Sequence, residues 1–312
     1  MIGLIFITIP FIKSAKSPFE DSKESYKGIV EIWQIDTFEG GVGSRTSFLR
    51  NVASSFTKSH PSVLFLVSSH TVNSAKNLIE KGKLPDVISY GGNCIDLQGK
   101  IINLKGYSLR DGGVLDKNRY MLAWCKGGYF EIKHKTQNDI KRVIVSEGEY
   151  NSGMVAKAFS NYSKFSGESY LPSEAFNEFL LDKSSLLIGT QRDVIRLKNR
   201  EIQVDITPIL NYCDLYQYLS VVDKGDIKNQ YSLQFVSYLL SEKIQSTLTK
   251  IGMTSCTYGN LYESGDIFND LDGKKVNYTV TPYMDINNLT TLKNLIGQTN
   301  DINEVIKLLK HL

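Results

Sequence analysis

The sequence predicts an α/β protein of two lobes, each a mostly parallel sheet flanked by helices. Three observations carry this expectation. Strand-like and helix-like stretches alternate from residue 27 to 90, a second set of elements occupies about 124 to 219, and the 312 residues are roughly twice a common domain length. Composition agrees: 41% hydrophobic and 22% charged residues suffice for a packed core and exclude a disordered or collagen-like chain.

The first strand is 29–35 (IVEIWQI), short and rich in β-branched residues. A glycine-rich turn, Glu39-Gly40-Gly41-Val42-Gly43, leads into a helix over 44–59, where Phe48, Val52 and Phe56 recur every four residues behind Ser44 as N-cap. His60-Pro61 stops that helix. A second strand (62–67), a second helix (71–81, ended by Gly82) and a third strand (86–90, closed by Gly91-Gly92-Asn93) complete a unit with right-handed crossovers. Ligands of such sheets collect at the carboxyl ends of the strands, here 34–45, 68–71 and 90–93.

The middle of the chain reads as strands at 128–133, 142–146, 185–189, 201–210 and 215–222, with helices near 153–162 and 173–182 and another running from Thr190, a good N-cap, to Asn199. A long helical stretch follows at 226–251, with Leu233, Val236, Leu239, Leu240, Ile244 and Leu248 on one face, and the tail 285–312 is again helical in pattern.

The N-terminus differs from the rest. Residues 1–12 (MIGLIFITIPFI) are almost wholly apolar, too short to span a bilayer, and followed by small residues at Ser14, Ala15 and Ser17. Residues 1–17 are therefore expected to be an export segment; the alternative is a buried first strand or helix. No cysteine follows the apolar run, so no diacylglycerol anchor is read there. Cys94, Cys125, Cys213 and Cys256 form no C-x-x-C and frame no zinc site, and either pair or stay as free buried thiols.

Lys+Arg 36 against Asp+Glu 33 leaves +3, scattered without a basic run, so nucleic acid is not an expected partner. Enzymatic chemistry is poorly provided for. His60, His70, His134 and His311 are dispersed, and H-E-x-x-H, G-x-S-x-G and a Walker lysine are lacking. EGGVGSR lacks the G-x-G-x-x-G spacing of a dinucleotide turn, and Cys125 has no assignable histidine base. No catalytic residue, cofactor or metal is expected.

Six segments, in order, resemble the extracellular solute-binding proteins of ATP-driven importers, in particular the sugar and oligosaccharide binders. They are IVEIWQID with its EGG turn, FLRNVASSFTKSHPSV, LPDVISYGG, RYMLAWCKGGY, AFNEFLLDKSSLLIGTQRDVIRL and SLQFVSYLLSEKIQSTLTKIGM, spanning 28–253. No single segment is specific; the ordered set is. The resemblance implies a periplasmic-binding-protein-like fold with a ligand cleft between lobes: 28–123 plus 223–312 as a discontinuous first lobe and 124–222 as the second. Hinge crossings are implied near 119–124 and 219–226. It implies a monomer that binds a sugar-like solute outside the cell or in the periplasm and delivers it to a membrane permease. A solute sensor for a membrane receptor, or a binder of peptides or carboxylates, is the alternative.

Sugar recognition needs flat aromatic faces for the ring and carboxylates, amides or guanidinium groups for the hydroxyls. The candidates at loop positions are Trp33, Asp36, Glu39, Arg45, Tyr90, Gly91, Asn93, Trp124, Thr190, Gln191, Arg192 and, by the resemblance alone, Met253. Each has a structural alternative. Trp124 either stacks on the ligand or packs the hinge, and Trp33 is a core residue or a ligand platform. Asp36, Glu39 and Arg45 contact ligand or order their own loop as an ion pair. Thr190, Gln191 and Arg192 present a helix N-terminus to an oxygen-rich ligand, or Arg192 pairs with Asp193 or Glu174. The arginines suit an anionic sugar or a carboxylate, the tryptophans a neutral sugar.

Overall fold

A computed structural model describes residues 26–92, 94–97, 99–104, 120–136, 139–280, 284–299 and 301–311. The expected export segment (1–17), Asn93 and Arg119 lie outside these residues.

In chain order the elements are β1 (Gly28–Ile35), α1 (Arg45–Thr57), β2 (Val63–His70), α2 (Val72–Glu80), β3 (Val87–Gly91), β4 (Leu122–Lys126), β5 (Tyr129–His134) and β6 (Arg142–Ser146). Next come α3 (Gly153–Ala158), β7 (Gly167–Tyr170), α4 (Pro172–Leu181), β8 (Ser185–Thr190), α5 (Gln191–Asn199), β9 (Val204–Pro208) and β10 (Tyr216–Val221). The chain ends with α6 (Asp226–Leu239), α7 (Glu242–Gln245), a 3-10 helix (Ser246–Ile251), β11 (Thr254–Ser255), α8 (Ile286–Gln298) and α9 (Ile302–His311).

These strands form two sheets, ordered β11-β4-β10-β3-β1-β2 and β7-β6-β8-β5-β9. Strand β1 is parallel to β2 and β3, and β6 is parallel to β7 and β8, as helical crossovers require. Both sheets are nevertheless mixed: β10 is antiparallel to β3 and β4, and β5 to β8 and β9. The antiparallel strands are those on which the chain leaves one sheet and returns to it. It leaves through Gly127-Gly128, between β4 and β5, and returns through 209–215, between β9 and β10. The return precedes the expected 219–226, because β10 belongs to the first sheet.

Local sequence explains the first-lobe elements. Ser44 caps α1 by accepting from the Ser47 amide at 3.0 Å, and the face Phe48, Leu49, Val52, Ala53 and Phe56 packs on the sheet. Phe56 is met edge-on by Phe65 and Phe235, joining α1, β2 and α6 in one core. The second lobe has its own core, with Phe130 and Ile132 on β5, Ile144 on β6, Phe176 and Phe179 on α4, and Val194 and Leu197 on α5.

A third cluster joins the lobes, running from Ile88 and Tyr90 through Tyr129 and Val155 to Leu289 and Leu292. The tail, expected with the first lobe, lies against the second: α8 and α9 pack on α3. The expected helix 226–251 is broken into three. The Ser241 hydroxyl donates to the Tyr238 carbonyl (2.7 Å) and the Gln245 amide group to the Leu239 carbonyl (2.9 Å), taking acceptors a continuous helix would use. All four cysteines are buried, and none is joined in a disulfide among the described residues.

Candidate functional site: the cavity between the lobes

The carboxyl ends of β1, β6 and β8 converge on a cavity of ≈570 Å³ between the lobes. From the first lobe it is lined by Asp36 to Gly40 and Gly43 to Arg45; from the second by Ser146, Gly148, Glu149, Asn151, Leu171 to Ser173, Thr190 and Arg192. A volume in this range suits a small organic solute.

The first glycine turn is held by backbone and side-chain contacts at once. A Cβ on Gly41 would lie 2.5 Å from the Gly252 carbonyl oxygen and 2.6 Å from that of Ile251, so glycine allows the two chain segments to touch. The Val42 amide then donates to the Ile251 carbonyl at 2.8 Å. Arg45, 2% exposed at the start of α1, pairs with Asp36 at 2.7 Å, donates to the Phe38 carbonyl, and lays its guanidinium 4.0 Å from the centre of the Phe38 ring. Its third nitrogen, Nη1, is buried and without a partner among the described residues.

The start of α5 is used differently from the expectation. Thr190 and Asp193 form a capping box, the Asp193 carboxylate accepting from the Thr190 amide at 2.8 Å, and the Gln191 amide donates to the Gly128 carbonyl at 3.1 Å. These amides are therefore engaged within the protein. Gln191, 1% exposed, is a clamp between lobes: Oε1 accepts from the Gly128 amide (3.0 Å), and Nε2 donates to the Glu39 carbonyl (3.0 Å) and faces Met253 Sδ (3.7 Å). Met253 is 1% exposed, also in the core. Arg192 Nη1 donates to the Gly41 carbonyl at 2.9 Å, and Arg196 pairs with Glu39 at 3.1 Å. The loop Glu39 to Gly43 is thus gripped by α5 across the cleft.

The structure gathers Asp36, Glu39, Arg45, Thr190 and Arg192 at one cavity and leaves the other described candidates outside it. Trp124 is fully buried in the first-lobe core, its Nε1 donating to Ser89 Oγ at 3.0 Å and its ring stacked 5.6 Å from Phe48. Trp33, 5% exposed, packs 4.6 Å from the His70 ring. Tyr90 is buried with its hydroxyl 3.0 Å from that of Ser220, and the space beside Gly91 is filled by Thr37. Neither tryptophan offers a face to a solute. Among the described residues, Phe38 is the only aromatic that lines the cavity.

Thr37 and Phe38 fall within the expected segment 34–45 without having been singled out, and the loop from Ser146 to Asn151 and Leu171 to Ser173 were not expected at the site. The strand 142–146 was in hand, and its parallel neighbour β8 makes its carboxyl end a ligand position by the rule that selected Asp36. That loop is held from behind. Buried Asp214 accepts from the Tyr129 hydroxyl (2.8 Å) and the Ser152 amide (2.6 Å). Glu147 accepts from the Met154 amide (2.8 Å) and pairs with Lys293 of α8 (3.0 Å), whose Nζ also donates to the Gly148 and Glu149 carbonyls.

Burial pushes the Glu147 carboxyl up from 4.5 to about 7, with Asp214 adding to the rise and Lys293 opposing it. Burial also raises Asp193 from 3.8 to about 6. Both raised carboxyls bind a proton in the folded chain at pH values where the unfolded chain has released it. Their contribution to stability is therefore present at low pH and lost as pH rises through about 6 to 7. The melting midpoint is expected to be higher near pH ~5.5 than near pH ~8, and Glu147→Gln is expected to flatten that slope. A midpoint that climbs with pH over this range contradicts the assignment.

No family model and no curated protein matches the chain. Solved structures do share its fold. The apo form of RafE from Streptococcus pneumoniae superposes with a TM-score of 0.62 at 10% identity, covering 92% of this chain and 97% of that one. The GacH receptor of Streptomyces glaucescens, solved unliganded and with acarbose, gives 0.59 at 14% identity, with 91% and 99% covered. Iron-bound HitA from Pseudomonas aeruginosa gives 0.58 at 11% identity, with 86% and 99% covered. The chain has the two-lobe periplasmic-binding-protein fold.

Proposed function

We propose that this chain is the exported substrate-binding component of an ATP-driven importer: it encloses a small, hydroxyl-rich, sugar-like solute between its lobes and presents the closed form to a membrane permease. The observation that carries the reading is the ≈570 Å³ cavity lined from both lobes by polar groups at strand ends. Fold likeness to solute-binding structures supports it, including receptors solved with sugars or sugar-like ligands, such as the acarbose-bound GacH receptor.

Mechanism follows from the cross-cleft contacts. Opening the lobes breaks Gln191 to Glu39, Arg192 to Gly41 and Arg196 to Glu39, and a solute touching both lobes adds contacts that exist only when they are closed. That differential affinity shifts the population toward the closed form. The residues proposed to contact solute are Asp36, Glu39, Arg45, Thr190 and Arg192, with Ser146 and Asn151. A second cavity of ≈420 Å³ shares Asp36 and Glu149 with the first and adds Ser69, His70, Asn73 and Tyr150. It leaves room for a second unit of an oligomeric solute. No step of the reading needs a catalytic group or a cofactor.

A thermal-shift screen of the purified chain against mono- and oligosaccharides, with amino acids and peptides as contrast sets, tests this. A solute at a hundred times its dissociation constant is expected to add about 2.7 kcal/mol of stability. A shift by peptides alone would remove the sugar-like cargo and keep the binding fold. Failure of every class would remove solute binding itself.

A further inference from the structure

Resting on that solute-binding reading, we propose that the solute carries a carboxylate beside its hydroxyls: a sugar acid or other hydroxylated organic acid, whose carboxylate is received between Arg45 of the first lobe and Arg192 of the second. The unmatched groups of the cavity point to this chemistry. Arg45 Nη1 and Arg192 Nε are buried donors without partners among the described residues, and both side chains line the cavity. Arg45 is 2% exposed and locked at its other nitrogens by Asp36 and Phe38, so its orientation is fixed before any solute arrives.

The charges sort in the same sense. Asp36 is paired with Arg45 and Glu39 with Arg196, whereas no carboxylate among the described residues lies within 4.0 Å of Arg192. Glu149, the remaining lining acid, is exposed and shared with the adjoining cavity. Arg192 is therefore the uncompensated charge of the cavity wall, and an anionic oxygen is the partner that satisfies a guanidinium best.

Hydroxyls are called for as well. Among the described residues Glu39 Oε2 is a buried acceptor without a partner, and Ser146 Oγ, on a residue 1% exposed, has none either and serves as donor or acceptor. A plain carboxylate leaves Glu39 unmatched, and a neutral polyol leaves the Arg192 charge unmatched; a hydroxy acid answers both. With both tryptophans in the core, Phe38 is the one aromatic among the described lining residues, and the Arg45 guanidinium lies 4.0 Å from its ring centre, so little aromatic surface is left for a neutral sugar ring. The cavity is also far roomier than an inorganic oxyanion needs, which favours an organic acid.

The test is calorimetric titration of the whole chain with matched pairs: D-glucuronate against D-glucose, D-gluconate against D-glucitol, and tartrate against erythritol. At least one acid is expected to bind at least about tenfold more tightly than its neutral partner, with the preference shrinking at high salt. Arg192→Gln is expected to remove the preference for the acid, and Arg192→Lys to retain part of it. The acid-to-neutral ratio is what separates charge recognition from mere support of the Gly41 loop. Equal binding within every pair, or binding of neutral polyols alone, overturns the proposal while solute binding stands. No binding by any member overturns the proposal, and the wider screen then decides solute binding separately.

Discussion

Trp124→Ala is expected to lower the unfolding free energy by about 3–5 kcal/mol, the cost of emptying a buried aromatic site. The indole is fully buried on β4, stacked on Phe48, and surrounded by the α1, α6 and first-sheet core. Its Nε1 donates to Ser89 Oγ, which also accepts from Gln217 Nε2 at 3.1 Å, so truncation opens a void and breaks a buried polar chain. Urea unfolding measures the loss as a fall in midpoint. Trp124→Phe keeps most of the volume and is expected to cost less, with solute affinity close to that of the unaltered chain. A ligand-stacking tryptophan would behave in the opposite way: affinity would collapse while stability held.

Asp214→Ala is expected to cost about 2–6 kcal/mol, since it strands the Ser152 amide and leaves the Tyr129 hydroxyl only a long 3.5 Å contact with Asn151 Oδ1 in a dry interior, at roughly 1–3 kcal/mol each. Burial raises this carboxyl's own pKa, so the acid is itself held at a cost and is tolerated for the donors it gathers. Those donors fix the geometry of the cavity: Ser152 caps α3, and the loop before it supplies Gly148, Glu149 and Asn151 to the wall. Asp214→Ala is therefore expected to weaken solute binding without touching the solute. Asp214→Asn keeps an acceptor for Tyr129 but sets an amide group against the Ser152 amide, and is expected to fall between the two. Unchanged stability in both variants would show that this hub does not hold the loop.

The first β-α-β-α-β unit was legible because each element carries its own period. Apolar residues every four positions mark α1, β-branched runs mark β1 and β2, and glycine or proline punctuates the boundaries. The 226–251 stretch misled because its apolar face runs unbroken past Ser241, where a side-chain hydroxyl interrupts the backbone ladder. The tryptophans misled for another reason. Position near a strand end does not say which side of the sheet a side chain meets, and β4 is covered on both. Gln191 was invisible as a clamp because the space it fills exists only where Gly127, far away in sequence, leaves room for it beside the Gly128 amide it accepts from. The tail is amphipathic, which requires a partner without naming one; the structure supplies α3.

The turn after β1 and the start of α5, each expected at the cleft on separate grounds, meet across it. Their detailed use differs, since capping and clamping occupy the α5 amides, while the Arg45 and Arg192 side chains line the cavity.

The central claim is that one solute is held by both lobes at once. Hydrogen–deuterium exchange of the whole chain, with and without a saturating solute identified in the screen, tests it most directly. The account predicts slowed exchange together at 36–45 on the first lobe and at 146–152, 171–173 and 190–192 on the second. Protection confined to one lobe, or appearing only on surfaces away from these segments, would contradict it.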